Sequence, residues 1–329
     1  MKLLKTSLLL ILLIGLAATA GIVFWARQPI LAPDQAAIDF AVTPGSGVHS
    51  TIGQITQQGV PVNPILLEAL TRVTGKGTRL KAGNYQLKPG TTPLRLISQL
   101  VRGEFAQESL VIIEGWTFRQ MRQAIAQHPA LKHDSAGWSD VELLAKVTTD
   151  FTLPEGLFFP DTYQFGKGVS DLKIYRQAHA AMLKKLSDAW QQRDLSLPYK
   201  TPYEALTMAS IIEKETGQKS ERGMIAGVFV NRLKNGMLLQ TDPTVIYGMG
   251  EKYQGVIHKR DLETDTPFNT YTRAGLPPSP ICLPGKAALK AALMPDKTDA
   301  LYFVARGNGS SEFSNNLPDH NRAVARYQR

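Results

Sequence analysis

The sequence predicts an α+β protein that follows an N-terminal transmembrane helix, and three patterns support this prediction. An uncharged apolar run opens the chain, short segments with strand-like alternation follow, and amphipathic helical patterns dominate the second half. The chain has 329 residues, of which 43% are hydrophobic and 20% charged. This length and composition allow a buried core and two domains, and they exclude a disordered or fibrous protein.

The net charge of +9, with a pI near 9.5, is typical of a protein that works in an anionic environment. Nucleic acid, an anionic membrane surface and an acidic cell-wall polymer all fit, so charge alone does not choose among them. The single cysteine, Cys282, excludes an internal disulfide framework, and its position deep in the chain excludes an N-terminal lipid anchor.

The first segment predicts the compartment. Residues 7–26 are uncharged, and as a helix of about 1.5 Å per residue they match the roughly 30 Å hydrocarbon core of a bilayer. Residues 1–6, with two lysines, are expected to stay in the cytoplasm, which places the body on the periplasmic or outer face of the cytoplasmic membrane. A cleaved signal peptide is the alternative, because residues 18–20 read Ala-Thr-Ala, but apolar residues continue through Trp25. Both interpretations keep the body away from nucleic acid.

A small α+β unit is predicted at residues 38–104, after a proline-containing linker at residues 27–37. Strand, helix, helix, strand and a final amphipathic helix are predicted at residues 38–42, 50–57, 63–73, 83–87 and 93–101. Asn63 is expected to cap the second helix, with Pro64 in its first turn. The strand, helix, helix, strand order in so short a span resembles the LysM modules that bind cell-wall glycans. A generic α+β linker domain is the alternative.

Residues 105–200 are predicted to form a connecting region. A buried strand at residues 110–113 precedes a helix that Thr117 caps, and residues 173–191 read as an amphipathic helix. The segment 155–165 is unusually aromatic for a loop, and its rings are expected in the core, with a sugar-binding cleft as the alternative. These rings are Phe158, Phe159, Tyr163 and Phe165.

The last predicted domain, residues 201–329, opens with a well-signalled helix. Thr201 can cap it, Pro202 fits its first turn, and Glu204 completes a capping box. Gly217 is placed to end this helix in a left-handed conformation.

Two further helix starts are predicted in this domain. Residues 221–234 read as a helix with Ser220 as its cap. Asp242, which precedes Pro243, is expected to cap a short helix.

Two acids, Glu213 and Glu215, fall in the last turn of the first of these helices. A carboxyl group there faces the negative end of the helix dipole, which raises its pKa, as a proton donor near neutral pH requires. The neighbours of Glu215 at i−3 and i−4 are the apolar pair Ile211-Ile212, whereas those of Glu213 are serine and alanine. Glu215 therefore has the more desolvating surroundings and is the predicted proton donor, with Glu213 as the fallback. Two solvated surface acids are the alternative.

Several long motifs resemble the endolytic murein transglycosylase (YceG-like) family. They occupy residues 155–163, 208–216, 228–233, 239–250, 269–278 and 301–305, with His320-Asn321 after them. The resemblance extends from the membrane anchor to near the C-terminus. It implies a lytic transglycosylase with a LysM-like subdomain and a mixed α/β catalytic domain, residues 201–329, whose active-site helix is similar to that of the lysozyme-like transglycosylases. It also implies that the second acid of the Glu-Lys-Glu run, Glu215, is catalytic.

The implied reaction cleaves the β-1,4 bond between MurNAc and GlcNAc of nascent glycan strands with one acid and no cofactor or metal. Hydrolytic glycosidases use two carboxylates. A lytic transglycosylase instead lets the 6-hydroxyl of the muramic acid attack its own anomeric carbon, so that one glutamate donates a proton and then accepts one, giving a 1,6-anhydro end. The resemblance also implies partnership with penicillin-binding synthases and termination of strand elongation.

Other polar residues in these motifs are candidates to bind the sugar, through side-chain hydrogen bonds or an aromatic face. They are Gln240, Asp242, Tyr247, Asn269 and Tyr271. A second set is the candidate for a structural polar network behind the acid. It consists of Glu221, Asn231 and Arg232.

Other function classes find less support in the sequence. The six histidines are dispersed and form no His-Glu-x-x-His pair, which disfavours a metallohydrolase. The Gly-x-Ser-x-Gly elbow of serine hydrolases is absent from the sequence. A non-catalytic, membrane-anchored protein that binds peptidoglycan or acts as a scaffold, with the Glu-Lys-Glu helix only structural, remains the alternative.

Overall fold

The computed structural model describes the backbone of residues 2–215 and 218–328, and the side chains from residue 13 onward except that of residue 18. Gly217, predicted to end a helix, lies outside these residues. The chain divides into two compact units: unit 1 comprises Met1–Glu108 and Phe165–Lys167, and unit 2 comprises Ser109–Gln164 and Gly168–Arg329. Helices and short strands alternate in both, which confirms the predicted α+β class.

Unit 1 contains the elements predicted for residues 38–104. Helix α1 (Lys2–Ala26) comes first in the chain. The predicted elements follow as β1 (Ile38–Val42), α2 (Val48–Gln57), α3 (Pro64–Val73), β2 (Gly83–Leu87) and α4 (Pro93–Arg102). The strand, helix, helix, strand order is confirmed, and helix ends differ from the prediction by a residue or two. The Asn63 side chain accepts a hydrogen bond from the backbone N–H of Leu66, which confirms Asn63 as the cap of α3.

The core of unit 1 forms where the two strands meet the helices. β1 and β2 pair antiparallel, with Phe40 opposite Tyr85 and their rings stacked at 5.5 Å. Strand alternation turns Phe40, Val42, Tyr85 and Leu87 to one side, where they are buried in one cluster with apolar residues of α2, α3 and α4. Burial of this shared apolar surface stabilises the unit.

The N-terminal segment is helical over the whole of α1. The predicted transmembrane span, residues 7–26, falls partly on residues 7–12 and 18, whose side chains lie outside the description. Among the described residues, no helix has both the length and the apolar character that crossing a membrane requires.

The rest of the chain is rich in helices. Its elements are β3 (Gln107–Val111), α5 (Phe118–Gln127), β4 (Leu131–Lys132), α6 (Asp140–Val147), β5 (Thr162–Gly166), β6 (Val169–Ser170), α7 (Asp171–Gln191), α8 (Pro202–Glu215), α9 (Arg222–Lys234), α10 (Asp242–Met249), α11 (Lys259–Glu263), α12 (Lys286–Leu293), β7 (Tyr302–Ala305), β8 (Ser311–Ser314) and α13 (Leu317–Tyr327). β3 pairs with β5, β4 runs parallel to β6, and β7 runs antiparallel to β8. β3 and β5 each contain residues of both units.

Helix α8 lies in the core of unit 2. Every residue from Ala205 to Ile212 is buried, and α7, α9, α10 and α12 pack around the helix. A helix that is apolar on all sides is stable only inside such a shell. Ser210, the polar exception near its end, donates to the carbonyl of Thr207 and accepts from the N–H of Ile281 at 2.9 Å. The shell therefore fixes the end of α8, which carries the two acids.

The aromatic segment at 155–165 contributes to the core as predicted. Phe158, Phe159, Tyr163 and Phe165 are all buried. Phe158 stacks on Phe118 of α5 with ring centroids 5.0 Å apart. These four rings are therefore not free to line a cleft.

After unit 1, predicted helix starts were confirmed at two sites and wrong at two others. Thr117 caps α5, and Thr201 accepts from the N–H of Glu204 at 3.2 Å. Ser220 does not cap α9, because residues 219–221 form a 3₁₀ turn and α9 begins at Arg222. Asp242 does not cap α10 but is its first residue.

At both wrong starts, an acidic residue at or next to the predicted cap is bound by a distant segment. Glu221 takes the N-cap position of α9, and its carboxylate accepts from the N–H of Ser311 at 2.9 Å. Asp242 accepts a hydrogen bond from the hydroxyl of Tyr271, which leaves Thr241 in the N-cap position of α10.

Candidate active site

Glu215 is the last residue of α8. Its Oε1 accepts a hydrogen bond from the hydroxyl of Thr241. Burial raises the pKa of Glu215, the nearby charge of Asp242 raises it further, and the Thr241 hydrogen bond and Arg232 oppose the rise. A carboxyl group in these surroundings keeps its proton to higher pH than an ordinary glutamate does, as a general acid must.

Glu213 has a different set of partners. Its Oε2 accepts from the N–H of Gly285 at 2.9 Å, and its Oε1 lies 3.2 Å from the guanidinium of Arg222. The Glu213 and Arg222 side chains are only 7% and 10% exposed. Burial raises the pKa of Glu213 as well, while Gly285 and Arg222 oppose the rise. The carboxyl of Glu213 therefore ties α8 to the starts of α9 and α12.

The segment that brings Thr241 to Glu215 is anchored by Thr270. The N–H of Gln240 donates to the carbonyl of Thr270 at 3.0 Å, and the N–H of Thr241 donates to its hydroxyl at 3.1 Å. The Thr244 hydroxyl lies 2.9 Å from the same hydroxyl. These bonds hold the start of α10 in place, so the orientation of the Thr241 side chain is set by the backbone.

Gln240 has a strained backbone at this same point. Its φ is +50°, the single positive φ of a non-glycine residue among residues 2–215 and 218–328. Such a conformation costs about 1–3 kcal/mol and persists where the surrounding structure enforces it, which is most common at functional sites. The Gln240 side chain is exposed.

Asp242 and Tyr271 complete the cluster around Glu215. The Tyr271 hydroxyl donates to Asp242 Oδ1 at 2.5 Å. Burial and the charge of Asp242 raise the pKa of Tyr271, so it stays a hydrogen-bond donor at neutral pH. Arg232 donates to the carbonyls of Leu301 and Leu239, and its charge also reaches Glu215.

The structure separates the other two predicted sugar contacts from this cluster. Asn269 is 0% exposed, and its side-chain amide donates to the carbonyls of Leu262 and Thr264 at 2.9 and 2.7 Å. Its Oδ1 accepts from the N–H of Tyr271, so its polar atoms organise the loop that carries Tyr271. Tyr247 lies further along α10, where its hydroxyl donates to Glu155 at 3.1 Å.

The second set of predicted polar residues binds main-chain atoms. Asn231 donates to the carbonyls of Thr298 and Ala300, and Arg232 donates to that of Leu301. With Glu221 bound to Ser311, all three residues attach α9 and its start to residues 298–311. These contacts fit a structural network.

Thr241 and Glu155 were not identified from the sequence as functional candidates. Thr241 carries no signal that links it to Glu215, which lies 26 positions away. Glu155 is 6% exposed, and burial raises its pKa to about 7. Its signal was present, since it is an acid within an otherwise apolar and aromatic run. Within the described ranges, no cluster of three or more His, Cys, Asp or Glu residues could hold a metal ion.

Comparison with known proteins places these features in a family. A relative from Bacillus subtilis, named endolytic murein transglycosylase, is 31% identical over 324 residues, covering 91% of this chain and 87% of that protein. A relative of the same name from Streptococcus pneumoniae serotype 2 is 28% identical, and the match covers 91% of this chain and 60% of that longer protein.

A solved structure gives the same result. The crystal structure of a YceG-like protein from Listeria monocytogenes superimposes with a TM-score of 0.55 at 31% identity, covering 87% of this chain and 98% of that one. The sequence model of the YceG-like family matches residues 40–326, which include both acids and the whole Glu215 cluster. This protein therefore belongs to the YceG-like family.

Proposed function

We propose that this protein is an endolytic lytic transglycosylase of peptidoglycan. It cleaves the β-1,4 bond between MurNAc and GlcNAc in nascent strands and leaves 1,6-anhydro-MurNAc ends. The observation that carries the proposal is the half-buried carboxyl of Glu215, whose pKa desolvation raises, at the end of α8 in a YceG-like chain. The names of its relatives support the same activity.

In the first step, protonated Glu215 donates its proton to the glycosidic oxygen as the bond from that oxygen to the anomeric carbon breaks. Burial and the neighbouring Asp242 favour the protonated form that this step needs. Positive charge develops on the sugar ring, as in other glycosidic cleavages. The Thr241 hydroxyl holds the carboxyl in one orientation.

In the second step, the Glu215 carboxylate accepts the proton of the muramic acid 6-hydroxyl while that oxygen bonds to the anomeric carbon. The carboxyl group returns to its starting state, and no water is consumed. One residue is thus acid and then base, with its pKa set by burial for both roles.

Substrate contacts are proposed for the residues around Glu215. Gln240, with an exposed side chain, and the Asp242–Tyr271 pair offer hydrogen-bonding groups and an aromatic ring beside the acid. Asn269 acts through the loop that it holds, and Tyr247 belongs to the region at the far end of α10.

The proposal includes a single-pass anchor in the cytoplasmic membrane. Residues 1–6 lie in the cytoplasm, residues 7–26 span the bilayer, and the body lies on the periplasmic or outer face. The uncharged sequence and the helical backbone of α1 support this arrangement. The net charge of +9 suits a body close to anionic lipid headgroups and stem-peptide carboxylates.

Unit 1 takes a LysM-like, glycan-binding role in this proposal, supported by the order β1, α2, α3, β2. Penicillin-binding synthases are the proposed protein partners, because an enzyme that terminates nascent strands must act where strands are made.

The test is digestion of purified glycan strands by the full chain in detergent, with mass spectrometry of the products in isotopically labelled water. We expect 1,6-anhydro ends without incorporated label, and a loss of activity of about 100-fold or more for Glu215→Gln. Labelled reducing ends would identify a hydrolase. Binding of strands without any product would support the non-catalytic scaffold instead.

A further inference from the structure

Unit 2 contains a cavity of 770 Å³ at the C-terminal end of α10. Aromatic rings form much of its wall, from Phe118, Tyr247, Tyr253 and Phe268. Tyr247 and Phe268 pack edge to face at 4.8 Å. Gly248 permits this contact, because a Cβ there would lie 3.1 Å from that of Phe268.

A buried acid lines the same cavity. Glu155 accepts hydrogen bonds from the N–H of Phe118 at 2.9 Å and the hydroxyl of Tyr247 at 3.1 Å, both neutral donors. The turn after it requires glycine, since Gly156 has a φ of +79° and a Cβ there would meet Pro280 at 2.4 Å. Burying a carboxyl group without a cation is costly, which makes Glu155 a candidate functional group.

Apart from Glu155, the charged residues that line the cavity are paired. Arg119, the one cation among the lining residues, pairs with Glu251 at 2.6 Å. Asp140, which also lines it, pairs with Arg122 at 2.5 Å. A peptide carboxylate would therefore find no unpaired cation here. A neutral ligand with hydroxyl and amide groups would find the Glu155 carboxyl and aromatic residues in the wall.

One face of α10 links this cavity to Glu215. Asp242 and Ile246 are spaced four residues apart, so they lie along one side of α10, and Gly250 follows the last residue of the helix. Asp242 acts on Glu215 at one end, and Ile246 and Gly250 line the cavity at the other. The distance along the axis from 242 to 250 is about 12 Å, which a short stretch of glycan spans.

We propose that this cavity, lined by Phe118, Glu155, Ile246, Tyr247, Tyr253 and Phe268 and here named the Glu155 subsite, binds a neutral N-acetylhexosamine ring of the strand, of the GlcNAc type, at a distance from the bond cleaved at Glu215. The inference rests on the proposed function. It adds the place where the strand is held, which an enzyme that cuts within a strand needs.

The first test uses chitotetraose, a neutral oligomer of GlcNAc without lactyl or peptide groups, and the full chain. Tyr253, which is partly exposed, is replaced by Ala, and Tyr327→Ala is the matched control, because Tyr327 is also partly exposed but does not line the cavity. We expect Tyr253→Ala to raise the inhibition constant of chitotetraose in the strand-cleavage assay about threefold to tenfold. Tyr327→Ala should leave it unchanged.

A second variant addresses the buried acid. Glu155→Gln keeps the shape and can still accept from Phe118, but its amide cannot accept from both neighbours and a sugar hydroxyl. We expect a KM for strands raised several-fold with kcat close to that of wild type, because the contact is made equally in ground and transition states. Thermal melting of each variant verifies folding. If Glu155→Gln has a much lower melting temperature than wild type, Tyr253→Ala alone tests the proposal.

The outcomes separate the two proposals. If wild type releases anhydro ends but Tyr253→Ala matches it in both KM and the inhibition constant, the Glu155 subsite is refuted and the function stands. If stem peptide inhibits in a Tyr253-dependent manner and chitotetraose does not, the cavity is a peptide site and the proposal is wrong. If wild type makes no product, the function fails, and calorimetry with chitotetraose then tests the subsite alone: Tyr253-dependent heat supports it and its absence refutes it.

Discussion

The two acids at the end of α8 lie two positions apart but in different surroundings. Glu213 is bound by a backbone N–H and by the buried guanidinium of Arg222, which belong to the starts of α12 and α9. Glu215 is bound by a side-chain hydroxyl from the strained segment that precedes α10. Burial raises the pKa of both acids. Burial alone therefore does not distinguish the two acids, whereas their partners do.

This comparison predicts different effects for Glu215→Gln and Glu213→Gln, and the largest expected difference is in activity. Glu215→Gln should lower kcat by about 100-fold to 10,000-fold, because a neutral amide cannot transfer the proton. Its melting temperature should match or exceed that of wild type, since an acid that is costly to bury is replaced by a neutral group. Glu213→Gln is the control, and it should keep most of the activity. A dead Glu213→Gln beside an active Glu215→Gln would reverse the assignment.

The next largest effect is on stability at Glu213. Glu213→Ala leaves the Arg222 guanidinium buried and without this partner, which typically costs about 3–5 kcal/mol of unfolding free energy. Urea unfolding followed by circular dichroism measures this cost. The double variant Glu213→Ala/Arg222→Met should recover part of it, because both charges are then removed. If Glu213→Ala lowered the unfolding free energy by less than about 0.5 kcal/mol, the Glu213 side chain would not be what holds α8 to α9 and α12.

Sequence patterns predicted the helices and strands of unit 1 because the residues that determine each element lie within or next to it. Asn63 and Pro64 set the start of α3 with residues that lie next to it. The start of α9 escaped prediction because the carboxylate of Glu221 is bound by Ser311, 90 positions away. Contacts between distant segments decide such boundaries, and one sequence contains no record of them.

The same limit applies to the site. The Ile211-Ile212 pair predicted apolar surroundings for Glu215, and both isoleucines are indeed fully buried. The sequence could not show that Thr241 would reach Glu215, or that Tyr247 would reach Glu155 across 92 positions. Local patterns thus indicated that Glu215 is desolvated but not that Glu213 is desolvated as well, and the partners of both acids follow only from the fold.

Glu155 should give the protein a stability that depends on pH. Its folded-state pKa is about 7, above the ordinary value of 4.5. Between these pH values the unfolded chain releases the proton and the folded chain retains it, so rising pH favours unfolding. We expect the unfolding free energy to fall by about 3 kcal/mol across this window and then to level off.

The control for this effect is Glu155→Gln, which has no proton to release at this position. The difference between wild type and Glu155→Gln, followed by urea unfolding at several pH values, isolates the contribution of Glu155. A difference that stays constant through the window would mean that the folded-state pKa is ordinary.

Thr241 should affect the pKa of Glu215, to which its hydroxyl donates a hydrogen bond. Its hydrogen bond lowers the pKa of Glu215, so Thr241→Val should raise that pKa. Because the protonated form is active in the first step, activity should persist to higher pH in the variant. The pH profile of kcat/KM reports the free enzyme and measures the shift. Thr56→Val, in α2 of unit 1, is the control, because the Thr56 hydroxyl donates to the carbonyls of Ile52 and Gly53. A profile displaced to lower pH would contradict this role.

The smallest expected effect concerns the strain at Gln240. Glycine adopts its φ of +50° without steric cost, so Gln240→Gly should raise the unfolding free energy by up to about 1 kcal/mol, after the greater chain entropy of glycine is subtracted. Gln240→Val should lower it, because a β-branched residue tolerates this conformation least. Thermal melting of the pair decides by sign: two shifts in the same direction would show that the backbone of Gln240 is not strained. Opposite shifts would show that the segment presenting Thr241 to Glu215 is held in its conformation at a cost in stability.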